Sequence, residues 1–383
     1  MKDTYEVVII GGGLHGLSLA YNMAKKGMTD VLVLEKGYIG SGASGRNIEL
    51  VRAMFSSTEW MALMKESLRL FKKLSSELNF NIMFTDKGYL ILAKTKEQAN
   101  ICREAVPIQN SYGIDSRVID AAGAKRLVPE LNVEGVEGGM YQEDGGTAGH
   151  AGLIWGYSKA ARELGVEICP FTEVTAIEKA GGNITGVRTS TGAVRTDFVI
   201  NAAGGHASDI CRMAGVAIPN TPHRIEACVT ESLKPFMPCN VVSLQTHAAV
   251  TQTARGEVLD YVPTPLENNL SYSVRSSPDF MKAAAKALLD LFPKLRFVKI
   301  QRQWGGIIDM TPDRSPTLGP VDGLEGFVLD CGWGGYGFMS SPACGSMLSD
   351  FVVSGKLHPV VKSFNLSRFA EGRKIRDKCM VVE

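Results

Sequence analysis

The chain has 383 residues, and its 41 Lys+Arg against 40 Asp+Glu leave a formal charge of +1. At roughly 150 residues per domain, that length suggests two domains or one large two-lobed unit. With 45% apolar and 21% charged residues and no basic block, the composition is that of a globular protein and argues against a disordered chain or a nucleic-acid surface.

The first elements form a βαβ unit. Val7-Val8-Ile9-Ile10 is a fully apolar, β-branched run of the kind that makes a buried parallel strand. Gly11 to Gly16 breaks it. Leu14, Leu17, Tyr21 and Ala24 then recur at helical spacing, with Gly27 where a helix ends. Val31 to Leu34 is the second strand, followed by Glu35. After a loop of small residues from Gly37 to Asn47, an amphipathic helix is expected over Ser57–Leu78, with Trp60, Leu63, Met64, Phe71 and Leu78 on its inner face. A helix over Leu153–Leu164 leads into an expected antiparallel meander of Val174–Lys179, Ile184–Thr189 and Val194–Ile200. The stretch 216–304 reads as mostly strand with one helix, Asp279–Leu291. A strand at Phe327–Leu329 and a last helix from about Ser341 follow. No internal repeat appears.

Gly11-Gly12-Gly13-Leu14-His15-Gly16 fits G-x-G-x-x-G between a strand and a helix. The first glycine permits a tight turn, the second a close backbone approach to a pyrophosphate, the third close helix–strand packing. Phosphates then rest on the free amides of the helix start. Glu35 ends the next strand, where a carboxylate accepts from a ribose diol. These residues predict dinucleotide binding and leave NAD and FAD both open. They also explain why the apolar run Val7–Ala20, broken by glycines and preceded by the cancelling Lys2 and Asp3, does not read as a secretion signal. No stretch reaches the roughly 18–20 apolar residues of a membrane span. The eight cysteines include no C-x-x-C. They read as free thiols in a reducing cytoplasm, and no metal site is expected.

Three further stretches resemble the D-amino-acid oxidase/glycine oxidase superfamily of FAD-dependent amine oxidoreductases, most of all the β subunit of heterotetrameric sarcosine oxidase and related dye-linked proline and opine dehydrogenases. They are Gly40-Ser41-Gly42-Ala43-Ser44-Gly45-Arg46-Asn47, Asn201-Ala202-Ala203-Gly204-Gly205-His206-Ala207-Ser208, and Thr311-Pro312-Asp313 through Leu318-Gly319-Pro320 to Cys331-Gly332-Trp333-Gly334-Gly335-Tyr336-Gly337-Phe338. The resemblance implies a two-lobed α/β fold. Its Rossmann-like FAD lobe is discontinuous (1–85, 145–215 and 305–383), and its substrate lobe (86–144 and 216–304) is a mostly antiparallel sheet. It implies FAD contacts from Gly11, Gly13, Leu14, His15, Gly16, Glu35 and Lys36, and from Ser44, Gly45, Arg46, Asn47 and Ile48. Further FAD contacts are implied for Val174, Ala203 and Gly204, and for Gly334, Gly335, Gly337, Phe338 and Met339.

The last helix is implied to aim its start at the flavin's pyrimidine side, where amides and the helix dipole favour the charge gained on reduction. Arg52 stands where the family carries an arginine that pairs with a substrate carboxylate, a role suited to a guanidinium. Met339 stands where many relatives carry a lysine beside the flavin, so a sarcosine-, proline- or opine-like substrate all remain open. His150 lies in the region where the sarcosine oxidase β subunit carries FMN. An FMN bond, an FMN contact and an ordinary loop histidine are the three readings. The resemblance thus implies a catalytic β-type subunit that oxidises a secondary amine amino acid to an imine. Its implied partners are a larger α-type subunit and a small iron–sulfur subunit. A non-catalytic flavin-holding subunit is the alternative.

Overall fold

The computed structural model describes residues 1–264 and 270–380. The expected lobe segments 216–304 and 305–383 therefore each include a few residues outside the described ones. Val7–Ile10 is buried along its whole length. It pairs in parallel with Val31–Leu34 on one side and Val199–Asn201 on the other. Glu167–Cys169 and Leu324–Cys331 extend this parallel core outward, within a nine-stranded sheet. An apolar strand flanked on both sides by partners has no solvent face to supply, which is why its sequence does not alternate. Helices Leu14–Lys25 and His150–Glu163 pack against it, and Gly337–Ser354 packs on the first of them.

The expected meander is corrected at its third strand. Val194–Ile200 is not one strand. Gly192–Arg195 pairs antiparallel with Asn183–Thr189, whereas Val199–Asn201 joins the parallel core. Thr196 makes the break. Its hydroxyl donates to Glu6 O and accepts from Phe198 N, a local competitor to the ladder. The last long helix also begins earlier than expected, at Gly337. Ser341-Pro342 looks like a helix opening, yet the helix runs through it. Pro342 cannot donate to Phe338 O, and the Ser341 hydroxyl does so instead at 3.0 Å. A short helix, Pro359–Ser363, follows.

The second, eight-stranded sheet is antiparallel throughout except where Tyr89–Ala93 meets Asn240–Ser243. Helix Pro278–Leu291 covers its outer face, capped by the Ser277 hydroxyl. Strand Ile300–Met310 lies in this sheet along its whole length, so it crosses the lobe boundary expected at 305. Helix Thr58–Glu77 buries Trp60, Leu63, Met64 and Phe71. A three-stranded patch of Leu50–Val51, Thr85–Asp86 and Gly146–Thr147 joins the two sheets' connections.

Candidate FAD and substrate site

The glycine turn is built by close approach. Gly11 has φ 119°, and a Cβ there would stand 2.3 Å from Ala202 O. A Cβ on Gly16 would stand 2.0 Å from Gly11 O, so this third glycine sets how near the helix comes to the strand. Glu35 is turned into the loop: Gly12 N donates to Oε2 at 2.9 Å, and Gly37 N and the Ser41 hydroxyl donate to Oε1 at 2.7 and 3.1 Å. Three donors fix the carboxylate beside the turn. Ser44 Oγ accepts from Leu14 N at 2.9 Å, which ties the 3₁₀ turn Ala43–Gly45 to the helix start.

A crevice opens from this turn, lined by Gly11, Lys36, Thr172, Val174, Ala203 and His206, with Asp209 at its wall. His206 stacks on Tyr272 at 4.6 Å and lies 3.2 Å from Asp209. Burial, then the charge on Lys36, hold its imidazole below the ordinary histidine range, against the pull of Asp209. Gly204 has φ 54° and opens the turn that carries His206.

A second cleft lies between the two sheets. It is lined by Arg46, Asn47, Ile48, Glu49, Tyr89 and Tyr261 on one side and by Gly335, Tyr336, Phe338 and Met339 on the other. The walls are mostly apolar with a few aimed polar groups, as in small-molecule sites. Trp304 Nε1 donates to Arg46 O at 2.9 Å, so the eight-stranded sheet holds this loop. The Gly332–Tyr336 turn hangs on Asp309. Gly332 N donates to its carboxylate at 2.7 Å and Gly334 N to its main-chain oxygen at 3.0 Å. Burial pushes the Asp309 carboxyl up to about 7, opposed by its hydrogen bonds from Asn220 and Gly332.

The family described as DAO, FAD dependent oxidoreductase, matches residues 6–351. The chain belongs to that family. It is 36% identical over 381 residues to "Sarcosine oxidase subunit beta" of Rhodobacter capsulatus, a match that covers 98% of this chain and 91% of the relative. It is 32% identical over 380 residues to the protein of the same name from an Arthrobacter species, covering 98% and 93%. The crystal structure of L-proline dehydrogenase from P. horikoshii superposes with a TM-score of 0.94 at 30% identity, covering 98% of this chain and 100% of that one. The glycine oxidase of Geobacillus kaustophilus shares the fold at a TM-score of 0.88 and 23% identity.

The turn fits the cofactor of an FAD-dependent oxidoreductase. Cβ atoms at Gly11, Gly12, Gly13 or Gly16 would collide with Ala202, Glu35, Ser44 or Gly11, so this loop keeps its backbone bare. The structure brings the predicted residues together in two groups. Gly11, Lys36, Val174 and Ala203 line the crevice. Arg46, Asn47, Ile48, Gly335, Phe338 and Met339 line the cleft. Gly337 opens the long helix, and Gly45 lies in the 3₁₀ turn behind the loop.

Arg52 is placed elsewhere. It is 1% exposed and absent from the cleft lining. Its guanidinium donates to Met54 O and, at 2.7 Å, to Cys379 O, and it stacks on Phe55 at 4.1 Å. It supports the cleft wall from behind, 5.6 Å from the Tyr89 ring and 5.9 Å from the Tyr336 ring.

His150 begins a helix with its side chain one-third exposed. Its Nδ1 lies 2.6 Å from Glu49 Oε1, which also accepts from the His150 amide. His15, Asp330 and Cys344 approach one another at metal-like spacing. The Cys344 thiol, pushed well up by burial, donates to Asp330 there. Sequence reading missed Glu49, Tyr89, Tyr261 and Tyr336 in the cleft and His206 and Asp209 in the crevice. His206 sits inside the Gly204-Gly205-His206-Ala207-Ser208 stretch, and that was its one visible signal. Tyr336 sits likewise inside the Cys331–Phe338 stretch, whereas Tyr89 and Tyr261 look like ordinary core residues until the two sheets face each other.

Proposed function

We propose that this chain is the catalytic β-type subunit of a heteromeric flavin-dependent dehydrogenase or oxidase, converting a secondary-amine amino acid of sarcosine, proline or opine type to its imine. The observation that carries this reading is the cleft itself. A mostly apolar slot, walled by Tyr89 and Tyr261, lies directly against the glycine turn and helix start Gly335–Met339. Similarity along nearly the whole length to sarcosine oxidase β subunits supports it. FAD, when bound, supplies the acceptor for the hydride that leaves the substrate's C–H bond.

The protein's own part is orientation and exclusion. Gly11, Gly13, Leu14, Gly16, Glu35 and Lys36, with Ser44–Ile48, Val174, Ala203 and Gly204, hold the cofactor. The apolar walls Ile48, Ile225 and Met339 press the amine's carbon face in one direction and keep water out. The amides of Gly335, Gly337 and Phe338 offer donors where negative charge grows. Arg52 holds Tyr89 and Tyr336 in place from behind. The nine-stranded sheet and its helices form the FAD lobe, and the eight-stranded sheet forms the substrate lobe.

The same reading assigns a larger α-type subunit and a small iron–sulfur subunit as partners, a cytoplasmic location, and FMN at the shared face beside His150. Glu49 engages Nδ1 of that histidine, which leaves Nε2 as the ring atom for an FMN contact. No helix among the described residues is long and apolar enough to cross a membrane.

One observation favours a second reading, a flavin-holding subunit without turnover. Met339 offers no charge, and Arg52 is engaged with main-chain carbonyls. Anaerobic mixing of the co-expressed complex with L-proline, sarcosine and an opine decides between them. Bleaching of the flavin band by at least one amine is expected, and no bleaching by any would favour the second reading.

A further inference from the structure

His15, one of the FAD contacts implied for the glycine turn, also reaches the start of the last long helix, so it touches both ends of the cofactor cradle. It is the second residue of helix Leu14–Lys25, and Gly337 is the first of helix Gly337–Ser354. The two helices run in the same direction. Their starts meet at His15 and Gly337, and toward their far ends Lys26 Nζ, just past the first helix, reaches Asp350 near the end of the second at 2.6 Å. Midway, Gly345 comes so close that a Cβ would stand 2.2 Å from Ser18 Oγ. Parallel helices put two positive dipole ends side by side, an arrangement that repels itself and favours an anion between them.

The imidazole is wedged at that junction. Its Nε2 lies 2.8 Å from Gly337 O and its Nδ1 2.9 Å from Asp330 Oδ1. Its ring stacks on Trp333 at 4.3 Å. The Trp333 indole donates to the same Asp330 oxygen at 2.9 Å, and the Cys344 thiol does so at 3.5 Å. Asp330 is 1% exposed. A carboxylate so deep is costly unless donors converge on it, and here they come from the Gly332–Gly335 turn and from the last long helix, with the imidazole packed beside them. Gly337 O can only accept, so Nε2 is the ring atom that donates at the start of the last long helix.

We propose that His15 is a positioning residue for FAD, joining the helix start under the pyrophosphate to the helix start under the flavin through a single imidazole. The proposal rests on the reading that FAD lies across both starts. Its consequence is that the chemistry at the flavin end depends on a side chain of the dinucleotide turn.

The test uses the purified full chain with His15→Phe, which keeps the stack on Trp333 and loses both nitrogens, and His15→Gln, which keeps one amide donor. Flavin fluorescence quenching reads FAD affinity, equilibrium titration against a redox dye reads the midpoint potential, and a thermal melt reads folding. His15→Phe is expected to bind FAD about tenfold more weakly and to hold it at a lower potential, with His15→Gln between it and wild type. A lower melting temperature with unchanged affinity and potential overturns the proposal. Should His15→Phe fail to fold, Trp333→Phe, which removes the indole donor to Asp330, is expected to lower the potential, and an unchanged potential in both it and His15→Gln overturns the proposal. Absence of FAD binding by wild type would bring down the crevice reading and this proposal together, whereas equal values in wild type and His15→Phe bring down this proposal alone.

Discussion

Asp260 sets a cost that the rest of the substrate sheet has to absorb. It is fully buried in strand Glu257–Tyr261, opposite Cys228 and Val250, two members of the apolar cluster beneath helix Pro278–Leu291. Burial pushes its carboxyl up to about 8. In the unfolded chain the same group ionises in the usual carboxylate range. Between that range and about 8, the unfolded state has lost a proton that the folded state keeps, so stability falls as pH rises, by at most roughly 1.4 kcal/mol per pH unit from this residue. Asp260→Asn removes the titration. Urea unfolding at pH 5 and pH 7.5 is expected to show a drop in wild type that exceeds the variant's by about 3 kcal/mol at most; parallel behaviour of the two proteins would refute the assignment. Nothing in the sequence separates Asp260 from any acidic residue in a strand, because its burial arises only when the helix closes over that face. Gly16 is the opposite case. Its neighbour, Gly11 O, is five residues away in the chain, so the need for glycine there is readable from local spacing alone.

At the scale of elements, the same contrast between near and distant partners decides what could be read. The βαβ opening, helix Thr58–Glu77 and helix Pro278–Leu291 follow from periodicity and caps within one segment. The split at Thr196 did not, because it depends on Glu6 O, which approaches only when the first strand is in place. The Thr311-Pro312-Asp313 stretch was visible as a motif without a role. Its role belongs to the C-terminal segment. Arg368, with no exposed side-chain surface, donates to both Asp313 oxygens at 3.0 Å and to Phe364 O and Ser315 O at 2.8 Å. Asp313 also accepts from Ile375 N. This pair fastens the tail, which in turn brings Cys379 O to Arg52, so the wall behind the cleft depends on a residue far from it. Removing one partner strands a buried charge. Arg368→Ala is expected to lower unfolding free energy by about 3–5 kcal/mol, measured by urea titration. A loss below about 1 kcal/mol, the range of an exposed pair, would mean that the tail is not fastened this way.

For the molecule as a whole, the cofactor is the element that the chain order leaves out. The crevice and cleft draw on residues near 11, 36, 46, 174, 203 and 335, and the segments between them build the other sheet. A ligand that touches all of these and binds only the folded chain stabilises it by mass action, by about 2.7 kcal/mol when free ligand stands at 100 times Kd. The melting temperature of the apoprotein is therefore expected to rise steadily with the logarithm of added FAD once Kd is exceeded, while equal concentrations of NAD leave it unmoved. Because the Trp304 to Arg46 tie links the eight-stranded sheet to the loop beside the glycine turn, both sheets are expected to melt in one transition with FAD bound. Calorimetry with and without FAD checks this. A rise confined to one of two separate transitions would show that the cofactor braces its own sheet alone, and that the cleft between the sheets is held by protein contacts rather than by the flavin.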